Sequence, residues 1–213
     1  MTQPTIQAPG DVMFSPAVKA IQARKGSRES YTHVEQSRGF RHEVDADLAG
    51  RLAEATSFYL ATASADGQPY IQHRGGPKGF LKVLDSHTLA FADFSGNRQY
   101  ITQGNLSENP HAYIFVMDYA HRRRVKIWGT ARVVEDDAAL TASLMPRGYR
   151  ARPEQVILFT ISAWDTNCPQ HIPQKFDAAD VAEALAVRDA RIAELEAELA
   201  KLKGAGASPA SVS

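Results

Sequence analysis

The chain has 213 residues, and its 24 lysines and arginines balance its 24 aspartates and glutamates, so the formal net charge is zero. This balance argues against a general nucleic-acid binder, which normally carries a basic excess. A single cysteine excludes an intrachain disulfide. No apolar run approaches the roughly 20 residues of a membrane span, and no secretory signal is visible. We therefore expect a cytoplasmic protein without a membrane partner.

The first part of the chain predicts short helices behind a loose arm. Residues 1–13 contain two prolines and a glycine, which oppose regular structure. Ser15 followed by Pro16 is typical of a helix start. A second helix is predicted over 30–36, and a third begins at Asp45, where apolar residues recur at helical spacing.

An antiparallel sheet is predicted next. Residues 58–64 and 69–73 are rich in strand formers and are joined by the turn signal Asp66-Gly67, which is typical of a hairpin. Further strands are predicted over 80–84, 88–92, 112–117, 124–135 and 155–164. Six or seven strands with short turns favour a closed antiparallel barrel, because closure removes exposed strand edges.

Three further helices are predicted. Asn97 would cap one that stops at Asn109-Pro110, and Asp136-Asp137 would begin a short one. Residues 177–203 carry apolar side chains at alternating four- and three-residue steps, interrupted only by Arg188. This seam of about three heptads predicts a parallel dimeric coiled coil, and the alternative is an amphipathic helix packed on its own barrel.

Several motifs resemble one known family. They are the hairpin around Asp66-Gly67, the corner Pro77-Lys78-Gly79-Phe80, Asn97-Arg98 after a strand, and the strand Val125-Lys126-Ile127-Trp128-Gly129-Thr130-Ala131. Together with the segment 165–172, their order resembles the pyridoxamine 5'-phosphate oxidase-like, FMN-binding split-barrel family, in its bacterial flavin-nucleotide-binding branch. The resemblance covers roughly 14–173 and implies a mainly β split barrel with flanking helices, bound FMN and a homodimer.

These patterns divide the chain into four parts. We assign 1–46 to an N-terminal arm with short helices and 47–176 to the FMN-binding split barrel. Residues 177–203 form the C-terminal helix, and the small, polar tail 204–213 is predicted to be disordered.

FMN requires cationic or backbone donors for its phosphate, a flat apolar slot, and donors for its ring oxygens. Arg98 is the best phosphate candidate, because Asn97-Arg98-Gln99 stands where the family has Ser-Arg-Lys. The glutamine removes one cation, which Lys78, Lys82 or Arg124 could replace. The alternative is that Arg98 is a surface arginine at a helix start.

Other residues are predicted to complete the slot. Gln72, His73, Arg74 and Gly75 would line it, since a strand ending in two glycines lets backbone N–H groups approach a ring closely. Arg124, Lys126 and Trp128 share a strand face, which in the family reaches the flavin from the second subunit and could equally be a solvated face. The resemblance also places a loop over the flavin, formed by Asn167, Cys168, Pro169, Gln170 and His171.

The loop with Cys168 and His171 also has other chemical readings. A metal site would need further ligands, and a cysteine–histidine nucleophile would need an acyl-transfer framework. The sequence offers neither, so no metal site is predicted. His73 and His171 are the candidate catalytic residues, because an imidazole exchanges protons readily near neutral pH.

The functional hypothesis is a homodimeric FMN-dependent oxidoreductase that acts on a small molecule with an electron donor such as NAD(P)H. A true pyridoxamine phosphate oxidase is not expected, because the family's Arg-x-x-Leu-Leu-Lys strand and C-terminal Arg-Leu-x-Pro ending are absent. The alternatives are a non-catalytic flavin-binding or carrier protein, and a haem- or deazaflavin-binding relative.

Overall fold

A computed structural model describes residues 8–37, 39–166 and 169–205, with side chains up to residue 203. Within these residues one sheet contains seven strands: β1 (Ser57–Ala63), β2 (Pro69–Gly75), β3 (Lys82–Val83), β4 (Thr88–Phe94), β5 (His111–Asp118), β6 (Arg123–Val134) and β7 (Pro153–Thr166). Their spatial order is β2-β1-β5-β6-β7-β4-β3, and each neighbouring pair is antiparallel. The ladder does not close between β2 and β3, so the predicted barrel is split and keeps two edges.

The sheet curls around one apolar interior. Phe58 of β1 stacks on Phe80, with ring centroids 5.5 Å apart, and meets the edge of Phe91 of β4 at 5.1 Å. β1 and β4 are separated by three strands in the ladder, so these contacts cross the interior of the barrel. Because alternate residues of each strand face inward, the same interior contains Ile114 of β5 and Ile127 of β6, both fully buried.

Six of the seven helices in the described residues belong to the same compact unit as the sheet: α1 (Pro9–Met13), α2 (Pro16–Arg24), α3 (Arg28–Ser37), α4 (Ala46–Glu54), α5 (Ile101–Glu108) and α6 (Ala138–Leu144). Ser15, Asp45 and Asp137 accept hydrogen bonds from the first turns of α2, α4 and α6 as N-caps. α4 buries Leu48 and Leu52 completely, as its spacing predicts.

Four local predictions are wrong. The predicted arm is helical over α1, because Pro9 at the first helical position already has the required φ. Only Lys82–Val83 of the predicted strand 80–84 pairs as β3, since Phe80 turns back on Pro77 and packs inward. α5 is preceded by Tyr100 in the left-handed region, so Asn97 is not its N-cap. The last helix continues to Ala205 and therefore includes the start of the predicted tail.

A second compact unit contains residues 119–121 and 172–205. Within it, Gln174 Nε2 donates to the Ala120 carbonyl at 2.8 Å. Its helix α7 (Ala178–Ala205) carries the heptad seam, whose apolar side chains are 43–71% exposed. Pairing of this seam in a coiled coil stays a prediction. Among the described residues, no helix has the length and apolar character to cross a membrane.

Candidate functional site

The edge strand β2 presents its predicted site residues on two opposite faces. Gln72 and Arg74 lie opposite Leu60 and Phe58 of β1, which face the interior. His73 lies opposite Tyr59 and points outward, with its ring 5.6 Å from the tyrosine ring. Because side chains alternate along a strand, Gln72 and Arg74 cannot share one face with His73. β2 therefore contributes to two separate surfaces.

A small cavity of about 50 Å³ lies on the inner face, where β2 approaches the end of β4 and the start of α5. The predicted residues Gln72, Arg74, Asn97, Arg98 and Gln99 all line it. Further lining residues come from β2, β4, β7 and α5, including Tyr70, Asp93, Thr102, Glu154 and Gln155. The structure thus brings together the predicted phosphate triplet and two of the four slot residues predicted on β2.

A buried ion pair forms one wall of the cavity. Arg74 Nη1 donates to Asp93 Oδ1, and Gln155 Nε2 donates to Asp93 Oδ2 at 3.0 Å. The two charged side chains are only 12% and 10% exposed. Burial raises the pKa of Asp93, although the attraction of Arg74 and the hydrogen bond from Gln155 oppose this shift. Arg74 Nε is buried without a hydrogen-bond partner among the described residues, so this ion pair leaves one N–H of the guanidinium unsatisfied.

The loop before α5 has an unusual backbone. Arg98 and Tyr100 have φ values of 59° and 53°, a region that residues other than glycine rarely occupy. Arg98 Nε donates to Tyr100 Oη at 2.9 Å and lies 4.0 Å from Glu154 Oε1, and the arginine side chain is 71% exposed. Among the described residues, no side chain caps the N-terminus of α5. The first turn of α5 therefore presents backbone N–H groups beside an exposed guanidinium, a combination suited to an anion.

The outward face of the sheet carries the second group of predicted residues. Arg124, Lys126 and Trp128 of β6 lie opposite Met117, Phe115 and Tyr113 of β5. The Trp128 and Tyr113 rings meet edge to face at 5.0 Å, and Lys126 Nζ lies 3.3 Å from Asp165 Oδ2. Phe115 lies opposite Tyr59, which lies opposite His73, so the face continues to β2. Within one chain these residues and the inner cavity lie on opposite sides of the sheet.

A family model described as pyridoxamine 5'-phosphate oxidase matches residues 44–168, which is more than half of the chain. The chain belongs to this family. The match spans the strands β1–β7 and both surfaces described above. No curated protein matches the chain.

Solved structures resemble part of the chain at low identity. HupZ of Group A Streptococcus is 17% identical over 62% of this chain and 99% of its own, with a TM-score of 0.49. A Clostridium acetobutylicum protein related to general stress protein 26 is 14% identical over 65% and 99%, with a TM-score of 0.45. The FAD binding protein from Mycobacterium smegmatis is 16% identical over 60% and 97%, with a TM-score of 0.39.

The remaining predicted residues of this family member lie away from the cavity or outside the described chain. Lys78 pairs with Glu54 at 2.7 Å and does not line the cavity. Gly75 ends β2 and is also not in the lining. Pro169, Gln170 and His171 are exposed and described, and none of them lines the cavity either. Asn167 and Cys168 lie outside the described residues.

Sequence reasoning missed the acidic side of the cavity. Asp93 follows the apolar residues Ala90-Phe91-Ala92 in β4, and a charge at an inward position of a buried strand requires a partner. Arg74 occupies an inward position of β2 in the same way. The alternation of inward and outward side chains along each strand is enough to identify Arg74 and Asp93 as charged residues at inward positions. Their pairing, however, depends on the curl of the sheet.

Proposed function

We propose that the protein is a homodimeric FMN-dependent oxidoreductase acting on a small molecule. The observation that carries this proposal is the inner cavity of a pyridoxamine 5'-phosphate oxidase family member, whose lining includes Arg98 and the start of α5, which no described side chain caps. Each of these groups favours a bound anion, and the phosphate is the most strongly charged part of FMN.

The charges of the cavity set a limit on this phosphate site. Arg74 and Arg98 bring two positive charges, but Asp93 and Glu154 bring two negative charges to the same lining. Gln99 stands at the position where the family has lysine. The affinity for phosphate would therefore depend on the exposed Arg98 and on the N–H groups of α5 more than on net charge.

The size of the cavity supports a site shared by two subunits. A volume of about 50 Å³ is far below the roughly 300–1,000 Å³ of an ordinary cofactor pocket. One chain would thus supply the phosphate end of the site alone. Arg124, Lys126 and Trp128 lie on the opposite face of the same sheet, so they would reach a flavin only on a neighbouring copy.

The outward face has the composition of a contact surface between copies. It includes aromatic side chains from three strands, Tyr59, Phe115 and Trp128, and Ile71 of β2 is 61% exposed. Aromatic residues are enriched at the centres of protein interfaces. A two-fold interface of this kind is self-complementary and would create two equivalent flavin sites.

Bound FMN would supply the redox chemistry by taking a hydride at N5 from a donor such as NAD(P)H and passing the electrons to a small acceptor. The chain would hold the phosphate through Arg98 and α5, and would orient the ring through residues of the outward face. His73 lies on that outward face and remains a candidate proton donor there. His171 remains a second candidate, with no contact to the cavity.

The proposal is tested by the absorption spectrum and mass of the purified full-length protein. We expect a yellow protein with flavin bands, one FMN released per chain on denaturation, and sedimentation as a dimer. Oxidation of NAD(P)H by the FMN-loaded protein would distinguish an oxidoreductase from a flavin carrier. A colourless protein that fails to bind added FMN would contradict the proposal, as would a monomer that binds FMN with full affinity or a haem spectrum.

Arg98→Ala should weaken the binding of FMN without weakening that of riboflavin. Riboflavin lacks the phosphate, so only FMN should lose an interaction, and we expect roughly a three- to tenfold rise in its Kd at low salt. Fluorescence titration of both ligands measures the difference. Lys82→Ala is the control, because Lys82 is a cation that does not line the cavity. Equal losses for both ligands would show that Arg98 does not hold the phosphate.

A further inference from the structure

Two histidines and a glutamate meet on the surface away from the inner cavity. His42 Nε2 lies 3.9 Å and His87 Nε2 lies 3.8 Å from Glu43 Oε1. The two imidazole rings are 5.9 Å apart. Within the described part of the chain, no other group of three histidine, cysteine, aspartate or glutamate side chains brings its ligand atoms within 4.8 Å of one another.

The backbone holds both contributing segments in place. Val44 N donates to the Ser86 carbonyl at 2.7 Å, which ties the segment before α4 to the turn between β3 and β4. Trp164 Nε1 donates to the Glu43 carbonyl at 2.7 Å, and Ile161 N donates to the His87 carbonyl at 2.8 Å. The segment that contains His42 and Glu43 and the turn that contains His87 are therefore each hydrogen-bonded to the barrel, and they are also hydrogen-bonded to each other.

The His87 ring is also oriented by its neighbours. Its Nδ1 lies 2.9 Å from Ser86 Oγ, and its backbone N–H donates to Asp85 Oδ1 at 2.7 Å. If Nδ1 carries the proton and donates it to Ser86, Nε2 keeps its lone pair 3.8 Å from Glu43 Oε1. Ligating histidines commonly donate their second ring N–H to a neighbouring acceptor in this way, which fixes the tautomer.

We propose that His42, Glu43 and His87 form a binding site for a divalent transition metal of the Zn²⁺ class. Two imidazole nitrogens and one carboxylate oxygen are an established donor set for Zn²⁺, which would complete its tetrahedron with water. Bonds of about 2.0–2.1 Å require ligand atoms roughly 3.3–3.4 Å apart. The two histidine nitrogens lie 3.8 and 3.9 Å from Glu43 Oε1, and all three ligand atoms lie within 4.8 Å of one another, so the side chains would have to move closer together. The three side chains are 42–61% exposed and so have room for this movement.

The bound metal would act as a clamp between two segments that are distant in sequence. It would connect the chain just before α4 to the turn between β3 and β4, beside the edge strand β3. Because a ligand that binds only the folded state raises its apparent stability, Zn²⁺ should raise Tm. This role is independent of flavin binding, since none of the three residues lines the inner cavity.

The test is a Zn²⁺ titration of the tag-free, full-length protein after treatment with a chelator, followed by calorimetry and thermal melting. We expect one Zn²⁺ per chain and a Tm that rises with Zn²⁺. His87→Gln and Glu43→Gln should each weaken binding at least about tenfold and abolish the Tm increase. His33→Gln, which changes an exposed histidine of α3, should bind Zn²⁺ as the unaltered protein does.

Cobalt(II) supplies a second measurement that does not depend on stability. Co²⁺ added to the unaltered protein should give visible absorption bands of a four-coordinate site, and His42→Gln should remove them. Zn²⁺ binding that is equal in the unaltered protein and in the His87→Gln and Glu43→Gln variants would overturn the proposal. The absence of any Zn²⁺-dependent heat or Tm change in the unaltered protein would overturn it as well.

Discussion

Gly129→Ala should prevent or severely weaken folding. A Cβ at this position would lie 2.0 Å from the Thr160 carbonyl oxygen and 2.6 Å from Phe159 Cε1. The carbonyl belongs to the backbone of β7, and the register between β6 and β7 shifts at Gly129, so the clash cannot be relieved by rotating a side chain. Overpacking a core typically costs about 1–3 kcal/mol, and this position should reach or exceed the upper end. Thermal melting of the purified variant would measure the loss.

Gly50→Ala is the matched control for this prediction. Gly50 lies in α4, and nothing would lie within 4 Å of its Cβ. Alanine is the better helix former, so we expect a gain of roughly 0.5–1 kcal/mol in the free energy of unfolding. A Gly129→Ala protein with an unchanged Tm would show that β6 and β7 are not packed as closely as the structure has them.

Elements specified by local chemistry could be predicted from the sequence. Ser15 before Pro16 and Asp45 before an amphipathic run are complete helix-start signals within a few residues, and both helices begin there. The hairpin of β1 and β2 follows from two strand-like runs around Asp66-Gly67. In each case the residues that determine the element are neighbours in the chain.

Elements determined by packing could not be predicted as well. Residues 80–84 have a strand-like composition, but Phe80 is drawn into the interior by Phe58, which leaves two residues to pair as β3. The candidate site shows the same division. Arg98 is predicted from a local triplet that resembles the family's Ser-Arg-Lys, whereas the pairing of Arg74 with Asp93 joins strands that meet only because the sheet curls.

Arg74→Met should be the most damaging substitution of a charged residue in the candidate site. Methionine can fill much of the space of the arginine stem, but it leaves the Asp93 carboxylate buried without its cation. Removing one partner of a buried pair typically costs roughly 3–5 kcal/mol. Chemical denaturation at neutral pH measures the loss. Lys78→Met is the control, because Lys78 and Glu54 are 63% and 71% exposed and such surface pairs contribute about 0–1 kcal/mol.

The pH dependence separates a lost charge pair from a simple loss of packing. Burial already raises the pKa of Asp93 above its ordinary value, and Arg74 is the largest opposing influence. In Arg74→Met the pKa of Asp93 should rise further, because the cation is gone. Between the ordinary pKa of about 3.9 and this raised pKa, the folded state therefore binds more protons than the unfolded state. The free energy of unfolding then falls as pH rises through this window. The variant should therefore be closest to the unaltered protein near pH 4 and furthest from it above neutrality.

Removing the negative charge as well should restore most of the loss. Asp93→Asn keeps an oxygen that can accept from Gln155 Nε2, so the double variant Arg74→Met/Asp93→Asn leaves no unpaired buried charge. We expect the double variant to be more stable than Arg74→Met alone and to lose the additional pH dependence. In a double-mutant cycle, its loss of stability should then be smaller than the sum of the losses of the two single variants. If Arg74→Met were equally destabilised from pH 4 to pH 8, and Asp93→Asn gave no recovery, the role of Arg74 would be packing alone. The inner cavity would then have to hold an anion without a cation fixed by Asp93.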